Sequence, residues 1–439
     1  MLQAYGDPII WPALALQRHY GYDYTVIMTF GALFSGSLTP LAAKLCASSS
    51  RKTMFLVPAA VFTVCITAQS LSLPLPALLA LRAVIGCSLA FLFTAGFTLI
   101  GDLLPPAKRG FWIGFNGVVL GAAAFISTPL AGLLADAQRI TAYFPLSVPF
   151  CAAGIFFLKK YLPPFRGTEK AASLDFRGTA ALCGGLGCFF LTTPFFRREA
   201  DDFSPAILLL LSLMALSFIY FVFHERKIGG SGILPIHVVH SRNFKPILLA
   251  AFFSAGSAAF FYYSFAYYMI SYMKISAFVT GIAITLQSVF LVILGPSFTS
   301  LLTQKGKIHL FAIPFFIGMI LLCGAFALFV TPKTSLTVIL ISMLLFGLYA
   351  MLIQNAYPLA AQNYVEESAR PYCVGGVHLT QTIGNSVSLT IITILLHTAA
   401  SRPEQGYDRA YLFCIFLTVL SFISTLLIRE KGVSHDKRG

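Results

Sequence analysis

Few ionisable side chains lie inside the long apolar segments of this sequence, and each is a candidate for chemistry. The clearest are Asp7, Arg82 and His378. A charge within a bilayer is costly unless it is paired or hydrated, so such residues mark functional sites by default. Asp7 or His378 can bind and release a proton, and Arg82 can tune the pKa of a nearby carboxylate. A structural ion pair between Asp7 and Arg82, and a simple polar helix contact at His378, explain the same residues, and both interpretations stay open.

A second group of candidates is uncharged. The segment from Phe260 to Tyr272 is dense in aromatic residues, three of which recur at helical spacing, and such a face suits flat amphiphilic or cationic molecules. An interfacial aromatic belt gives the same pattern, and buried amides also serve as helix-packing contacts. The predicted ligand-binding residues are Asn116, Phe260, Tyr263, Tyr267, Gln287, Gln354, Asn355, Gln381 and Asn385.

Other kinds of chemistry have no motif in the sequence. Phosphate-binding loops and catalytic triads are missing, and the nine cysteines include no CxxC pair and no zinc-like spacing with histidine. We therefore expect no enzymatic activity, no cofactor and no metal site. The net charge of +14 is spread over short loops instead of one stripe, which argues against nucleic acid as a partner.

The elements that hold these residues are transmembrane helices. Hydrophobic residues make up 57% of the 439 positions, charged residues only 10%, and the mean hydropathy is +0.82, so a bilayer must be the solvent. Fourteen apolar segments are long enough to be candidate spans, namely Leu2–Leu16, Tyr24–Cys46, Thr53–Leu71, Pro76–Ile100, Gly110–Leu134, Thr141–Leu158, Gly178–Phe196, Ser204–Phe223, Phe244–Tyr272, Ala277–Leu302, Ile308–Val330, Leu336–Leu359, Val374–His397 and Ala410–Ile428.

The basic residues predict the orientation of these spans. Twenty of the 30 lysines and arginines fall in loops on one side and eight on the other, while Lys44 and Arg82 lie inside spans. Since lysine and arginine are retained in the cytoplasm, both termini are predicted to be cytoplasmic, in a cell inner membrane. The first residues carry no cleavable signal peptide. The short first span indicates either a truncated start or a tilted helix held by its neighbours.

Several loop and helix motifs carry a family resemblance. Arg51 and Lys52 follow Ala43–Ser50 between spans two and three, and Arg82 begins an Arg-Ala-Val-Ile-Gly run in span four. The segments Asp102–Gly110, Thr128–Leu134 and Phe144–Pro149 follow, and Thr380–Ser386 lies in span thirteen. On these residues the chain resembles the major facilitator superfamily, in particular its fourteen-helix drug/proton antiporter branch. It departs from the family at Ala47, where the family has Asp, at Ile85, where it has Gln, and at Thr128, where it has Gly.

The resemblance implies a fold, a set of domains and a set of gating residues. It implies an all-α membrane protein with two six-helix bundles plus two linker helices. The N-terminal bundle would cover residues 1–161, the linker pair 162–243, the C-terminal bundle 244–430 and a cytoplasmic tail 431–439. A short repeat, Pro40 to Arg51 against Pro296 to Lys307, favours the two-half architecture. The gating residues implied by the motifs are Arg51, Lys52, Asp102, Arg109, Pro129 and Gly132.

The function implied is a proton-coupled secondary transporter that exports small amphiphilic or drug-like compounds by alternating access. Its partners would be a small-molecule substrate, protons and the lipid bilayer, and it would act as a monomer. In the family's fold, the helices that carry Asp7 and Arg82 line the central cavity, so Asp7 would accept the coupled proton. A proton-linked importer of a metabolite or siderophore and a non-transporting membrane sensor or scaffold are the alternatives.

Overall fold

The structure is a computed structural model that describes residues 24–71, 73–162, 175–198, 205–229, 243–331, 334–365, 370–398 and 403–429, together with 232, 239 and 241. Its regular elements are helices. They are α1 Tyr24–Ser48, α2 Arg51–Ala68, α3 Leu75–Leu103, α4 Pro106–Asp136, α5 Val148–Tyr161, α6 Phe176–Arg198, α7 Pro205–Ile228, α8 Phe244–Tyr267, α9 Ala277–Thr285, α10 Ser288–Lys305, α11 Ile308–Phe329, α12 Leu336–Met351, α13 Tyr357–Tyr364, α14 Arg370–Thr398 and α15 Pro403–Leu426.

These helices coincide with the predicted spans from the second to the fourteenth, whereas the first predicted span lies outside the described residues. Nine helical segments of the described ranges are long and apolar enough to cross a bilayer. Many of their large apolar side chains are exposed, and only lipid can cover them at low cost. The protein is therefore an all-α membrane protein.

The helices form two bundles. In the first, α3 packs on α1 and α2, and α2 packs on α5; in the second, α8 packs on α14 and α15, and α11 packs on α15. The second bundle is tied together at one end by Asn243. Its side-chain amide donates to the carbonyls of Tyr364 (3.2 Å) and Arg429 (3.1 Å), and its oxygen accepts from the N–H of Arg429 (3.1 Å). This end is the predicted cytoplasmic end.

The remaining pair, α6 and α7, lies over the contact between the bundles. Helix α6 packs on α7 and also on both α1 and α14. Apolar side chains of α1, α6 and α14 form one cluster. Its buried members are Leu33 on α1, Leu182, Leu186 and Phe190 on α6, and Leu379 on α14. The outer face of α7 remains exposed and apolar. The pair therefore sits between the seam of the two bundles and the lipid.

Asp175 fixes the start of α6. Its carboxylate oxygen Oδ1 accepts the N–H of Gly178 at 2.8 Å, which is an N-cap bond, and contacts Nε2 of His224 on α7 at 2.7 Å. Lys44 on α1 interacts electrostatically with Asp175 and with buried Glu225. A small network of charged side chains therefore links α1 to both helices of the pair.

Replacing Asp175 by alanine is expected to lower the free energy of unfolding by about 1–3 kcal/mol, because a helix cap and a charge-assisted bond are lost together. Thermal unfolding of the purified protein would measure this change. Asp175→Asn keeps an oxygen acceptor for the N–H of Gly178, so it should lose less stability than Asp175→Ala. Equal losses in the two variants would contradict the capping role.

Two predicted spans are interrupted well inside their length. The span from Ala277 is interrupted at Leu286–Gln287, and the span from Leu336 contains a wide π-helical turn at Leu352–Ala356. Pro358 is the second residue after that turn and has no N–H, so one carbonyl of the turn has no backbone donor. The carbonyl of Ile353 accepts a bond from the side chain of Gln381 at 3.0 Å instead. Such π turns occur often at functional sites.

Candidate functional site

A cavity of about 910 Å³ lies between the two bundles. Helices α1 to α5 contribute one part of its wall, and α8, α12 and α14 with the two helix breaks contribute the other. Ligand pockets for small molecules have volumes of this size and combine apolar walls with a few convergent polar groups. The cavity is therefore the candidate binding site.

Five of the predicted ligand-binding amides line this cavity. They are Asn116 on α4, Gln287 in the break between α9 and α10, Gln354 in the π turn, and Gln381 and Asn385 on α14. The breaks position two of them, because they turn Gln287 and Gln354 out of the helical register of their neighbours. Gln354 is exposed to the cavity, while the side-chain amide of Gln381 donates a hydrogen bond to the carbonyl of Ile353.

Aromatic rings form much of the apolar wall. Tyr263 lines the cavity as predicted, together with its neighbour Tyr262. The imidazole of His378 also lines it and stacks on the ring of Phe93, with centroids 3.9 Å apart and planes 21° apart. Phe93 lies on α3 and His378 on α14, so this stack joins the two bundles across the cavity.

Three predicted ligand-binding residues lie elsewhere. Phe260 is fully buried against Phe413 of α15, at 4.8 Å between ring centroids, and Tyr267 packs on the apolar core without lining the cavity. Asn355 is buried beside Gly117 of α4. Helical spacing predicted that Phe260, Tyr263 and Tyr267 share one face of their helix. Because a membrane helix can be apolar on every face, spacing alone does not tell which neighbouring helix each side chain contacts.

The predicted proton-coupling residues are separated in the structure as far as it describes them. His378 lies in the cavity wall. Arg82 is buried and its side chain lies against Gly31 of α1, one position before the cavity residue Ala32. Asp7 lies outside the described residues, so its pairing with Arg82 stays a prediction.

Some of the predicted gating residues form contacts within one bundle, and others face the opposite bundle. Lys52 donates from Nζ to the carbonyl of Lys159 at 2.7 Å and so joins α2 to α5 within one bundle, while Nε of Arg109 donates to the carbonyl of Leu104 at 3.0 Å. Pro129 and Gly132 face the other bundle instead. The side chains of Arg51 and Asp102 lie outside the described part of the chain.

The first seam between the bundles joins α4 to α9 and α10. Glycines face it along α4, and a Cβ atom on Gly114 would come within 2.6 Å of the Cα of Pro296, while one on Gly132 would come within 2.7 Å of the Cα of Phe278. The small-residue face of α4 therefore allows backbone contact, as close-packed membrane helices require. At one end of this seam, the carboxylate of Asp136 accepts the N–H groups of Ala277 (3.0 Å) and Phe278 (2.9 Å).

The second seam joins α1 to α14. A Cβ atom on Gly36 would lie 2.8 Å from the Cβ of Thr382, and one on Gly375 would lie 3.2 Å from the Cα of Pro40. Thr382 was missed by the sequence reasoning although it lines the cavity as well as the seam. Its hydroxyl donates to the carbonyl of His378 at 2.8 Å. Because a threonine can satisfy its hydroxyl within its own helix in this way, its presence in a span does not indicate a binding site.

Comparisons with known proteins agree with this architecture. The chain is 24% identical to Multidrug resistance protein 3 of Bacillus subtilis (strain 168), over 84% of this chain and 72% of that protein. It is 28% identical to the Efflux pump dotC of Dothistroma septosporum (strain NZE10 / CBS 128990), over 62% of this chain and 48% of the pump. The chain thus spans about half the length of that fungal relative.

Solved structures share the fold at low identity. A POT family transporter in complex with 5-aminolevulinic acid superimposes with a TM-score of 0.67 and 12% identity, covering 98% of this chain and 95% of that one. The human organic anion transporter MFSD10 (TETRAN) superimposes with a TM-score of 0.60 and 16% identity, over 95% and 89% of the two chains. The family model described as Major Facilitator Superfamily matches residues 1–245, more than half of the chain. The chain belongs to the major facilitator superfamily and is an all-α membrane transporter with that fold.

Proposed function

We propose that this protein is a proton-coupled exporter of small amphiphilic compounds, a fourteen-helix drug/proton antiporter that acts as a monomer in the cell inner membrane with both termini in the cytoplasm. The observation that carries the proposal is the cavity between the bundles, because both bundles contribute polar and aromatic side chains to it. Alternating access needs a binding site at such an interface. The multidrug and efflux relatives support a drug-like substrate for this chain.

Transport requires the contacts between the bundles to open and close. Glycines line both seams, so the helices of the two bundles approach each other closely there. The Phe93–His378 stack crosses the cavity between the seams. Two rigid bundles that rock about a bound molecule would break and reform these contacts in turn.

Everted membrane vesicles test the direction of transport. We expect energised everted vesicles to accumulate an amphiphilic dye, and the accumulation to collapse when an uncoupler dissipates the proton gradient. Vesicles without this protein give the background. Accumulation by whole cells alone would instead indicate a proton-linked importer, and no accumulation in either system would leave a sensor or scaffold as the function.

His378 is the proposed proton-binding residue among those in the cavity wall. His378→Asn keeps a polar side chain but removes the titratable imidazole, so dye accumulation driven by a pH gradient should fall about tenfold, about 1.4 kcal/mol in the barrier. Dye binding, measured by thermal stabilisation, should be retained. Phe93→Leu is the control, because it removes the stacked ring and leaves the imidazole. An equal loss of transport in Phe93→Leu would indicate that stacking matters and protonation does not.

A further inference from the structure

The five carboxamides of the cavity form an uncharged recognition surface. They come from both bundles, with Asn116 on α4 and Gln287, Gln354, Gln381 and Asn385 on the other side. Each amide offers donors and an acceptor without net charge. A ligand that carries both kinds of group, such as an amide, a lactam or a ring carbonyl beside a hydroxyl, can be bonded from several directions at once.

The described wall of the cavity carries no acidic residue that could pair with a cation. Among the described residues that line it, none is an aspartate, glutamate, lysine or arginine. Lys44 of α1 lies outside this wall and interacts with Asp175 and Glu225. A permanent cation that enters such a site loses its hydration and gains no carboxylate from the described wall, which is costly in an apolar environment. An uncharged ligand loses much less.

The aromatic part of the wall sets the shape of the ligand. Phe55, Phe93, Phe97 and Phe346 line the cavity with Tyr262 and Tyr263, so flat rings can stack on several sides. Stacking alone would not favour uncharged rings, because cation–π contact favours the charged ones. A preference for uncharged rings must come from the amides and from the lack of a carboxylate in the described wall.

We infer that the cavity selects uncharged aromatic compounds with hydrogen-bonding carbonyl, amide or hydroxyl groups over permanent cations of the same shape. This inference rests on the proposed function, since it names the substrate class of the proposed export site. The relevant amide is Gln354, which is exposed to the cavity from the π turn. A carboxylate at that position would supply the charge partner that a cation needs.

Nile red and Nile blue provide a matched pair of probes. They share one ring system, but Nile red carries an uncharged ring carbonyl where Nile blue carries a cationic nitrogen group. We expect Nile red to bind the purified protein about tenfold more tightly than Nile blue, a difference that the lost hydration of one cationic group can supply. Gln354→Glu should reverse the order of the two dyes. Gln304→Glu at the end of α10, outside the cavity, is the matched control and should leave the order unchanged.

The outcomes separate the two proposals. Tighter binding of Nile blue to the wild type, equal binding of the two dyes, or no binding of either would overturn the inference about substrate class. Energised accumulation of Nile blue in everted vesicles would then still support export. Selective binding of Nile red without energised accumulation of any dye would keep the substrate class and refute the export function.

Discussion

Gly114→Val is expected to slow transport at least about fivefold, although the substitution adds only an isopropyl group. A Cβ atom at this position would lie 2.6 Å from the Cα of Pro296, and it would also meet Thr299 and the carbonyl of Gly295 on α10. Two of these three contacts are with backbone, which no side-chain rotation can relieve. Overpacking of this kind costs about 1–3 kcal/mol.

The cost falls on the closed form of the first seam. Helices α4 and α10 belong to different bundles, so the added side chain penalises every conformation in which they touch. A penalty of that size changes the ratio of two conformations by about fivefold to about 150-fold. We expect the initial rate of dye accumulation in everted vesicles to fall at least about fivefold, which corresponds to about 1 kcal/mol.

Gly318→Val on α11 is the matched control for Gly114→Val. Among the described residues, no heavy atom lies within 4 Å of a Cβ built on Gly318, and the residue is exposed. Both substitutions put a β-branched residue into a helix, so they share the cost of lower helix propensity. Transport by Gly114→Val at the level of Gly318→Val would show that the seam does not need to close. Thr299→Ala should not rescue Gly114→Val, because the backbone contacts remain.

Gly36→Ala is expected to impair the second seam, and Thr382→Gly is expected to restore it. The added Cβ would lie 2.8 Å from both Cβ and Cγ2 of Thr382, and these atoms belong to a side chain that the second substitution removes. We expect Gly36→Ala to lower the free energy of unfolding by about 1–3 kcal/mol and to slow transport accordingly. The double variant should return to the level of Thr382→Gly alone.

A double-mutant cycle measures this compensation. Thr382→Gly alone costs about 1 kcal/mol of helix stability and removes a cavity side chain, so it serves as the baseline for the double variant. Gly324→Ala on α11 is the matched control, because no heavy atom of the described residues lies within 4 Å of a Cβ built there and Gly324 does not line the cavity. If Gly36→Ala and Thr382→Gly have additive effects, the two residues do not touch in the working protein.

Much of the fold could be predicted from hydropathy, because lipid imposes the length and composition of each span. The predicted span from Pro76 to Ile100 differs from α3 by only a few residues. The interruptions were not predicted, since a π turn at Leu352–Ala356 leaves the apolar pattern unchanged. Pro358 was the available signal, because a proline inside a span forces a carbonyl to find another donor.

The lining of the candidate cavity could be predicted in part, and the predicted residues that lie outside it share a physical cause. Amides inside spans must find partners, which made Gln287, Gln354 and Gln381 visible in the sequence. The direction in which each side chain points could not be predicted from the sequence, because a membrane helix is apolar on both its lipid face and its packing face. Phe260 and Asn355 were therefore predicted to face a ligand, whereas they face other helices.

The position of α6 and α7 has a consequence for molecules dissolved in the membrane. The α1–α14 seam is shielded from acyl chains by Leu182, Leu186 and Phe190, whereas the α4–α10 seam is sealed by its own backbone. A hydrophobic compound diffusing in the bilayer therefore meets packed side chains or backbone at these described contacts. Sideways entry from the lipid is obstructed at these positions.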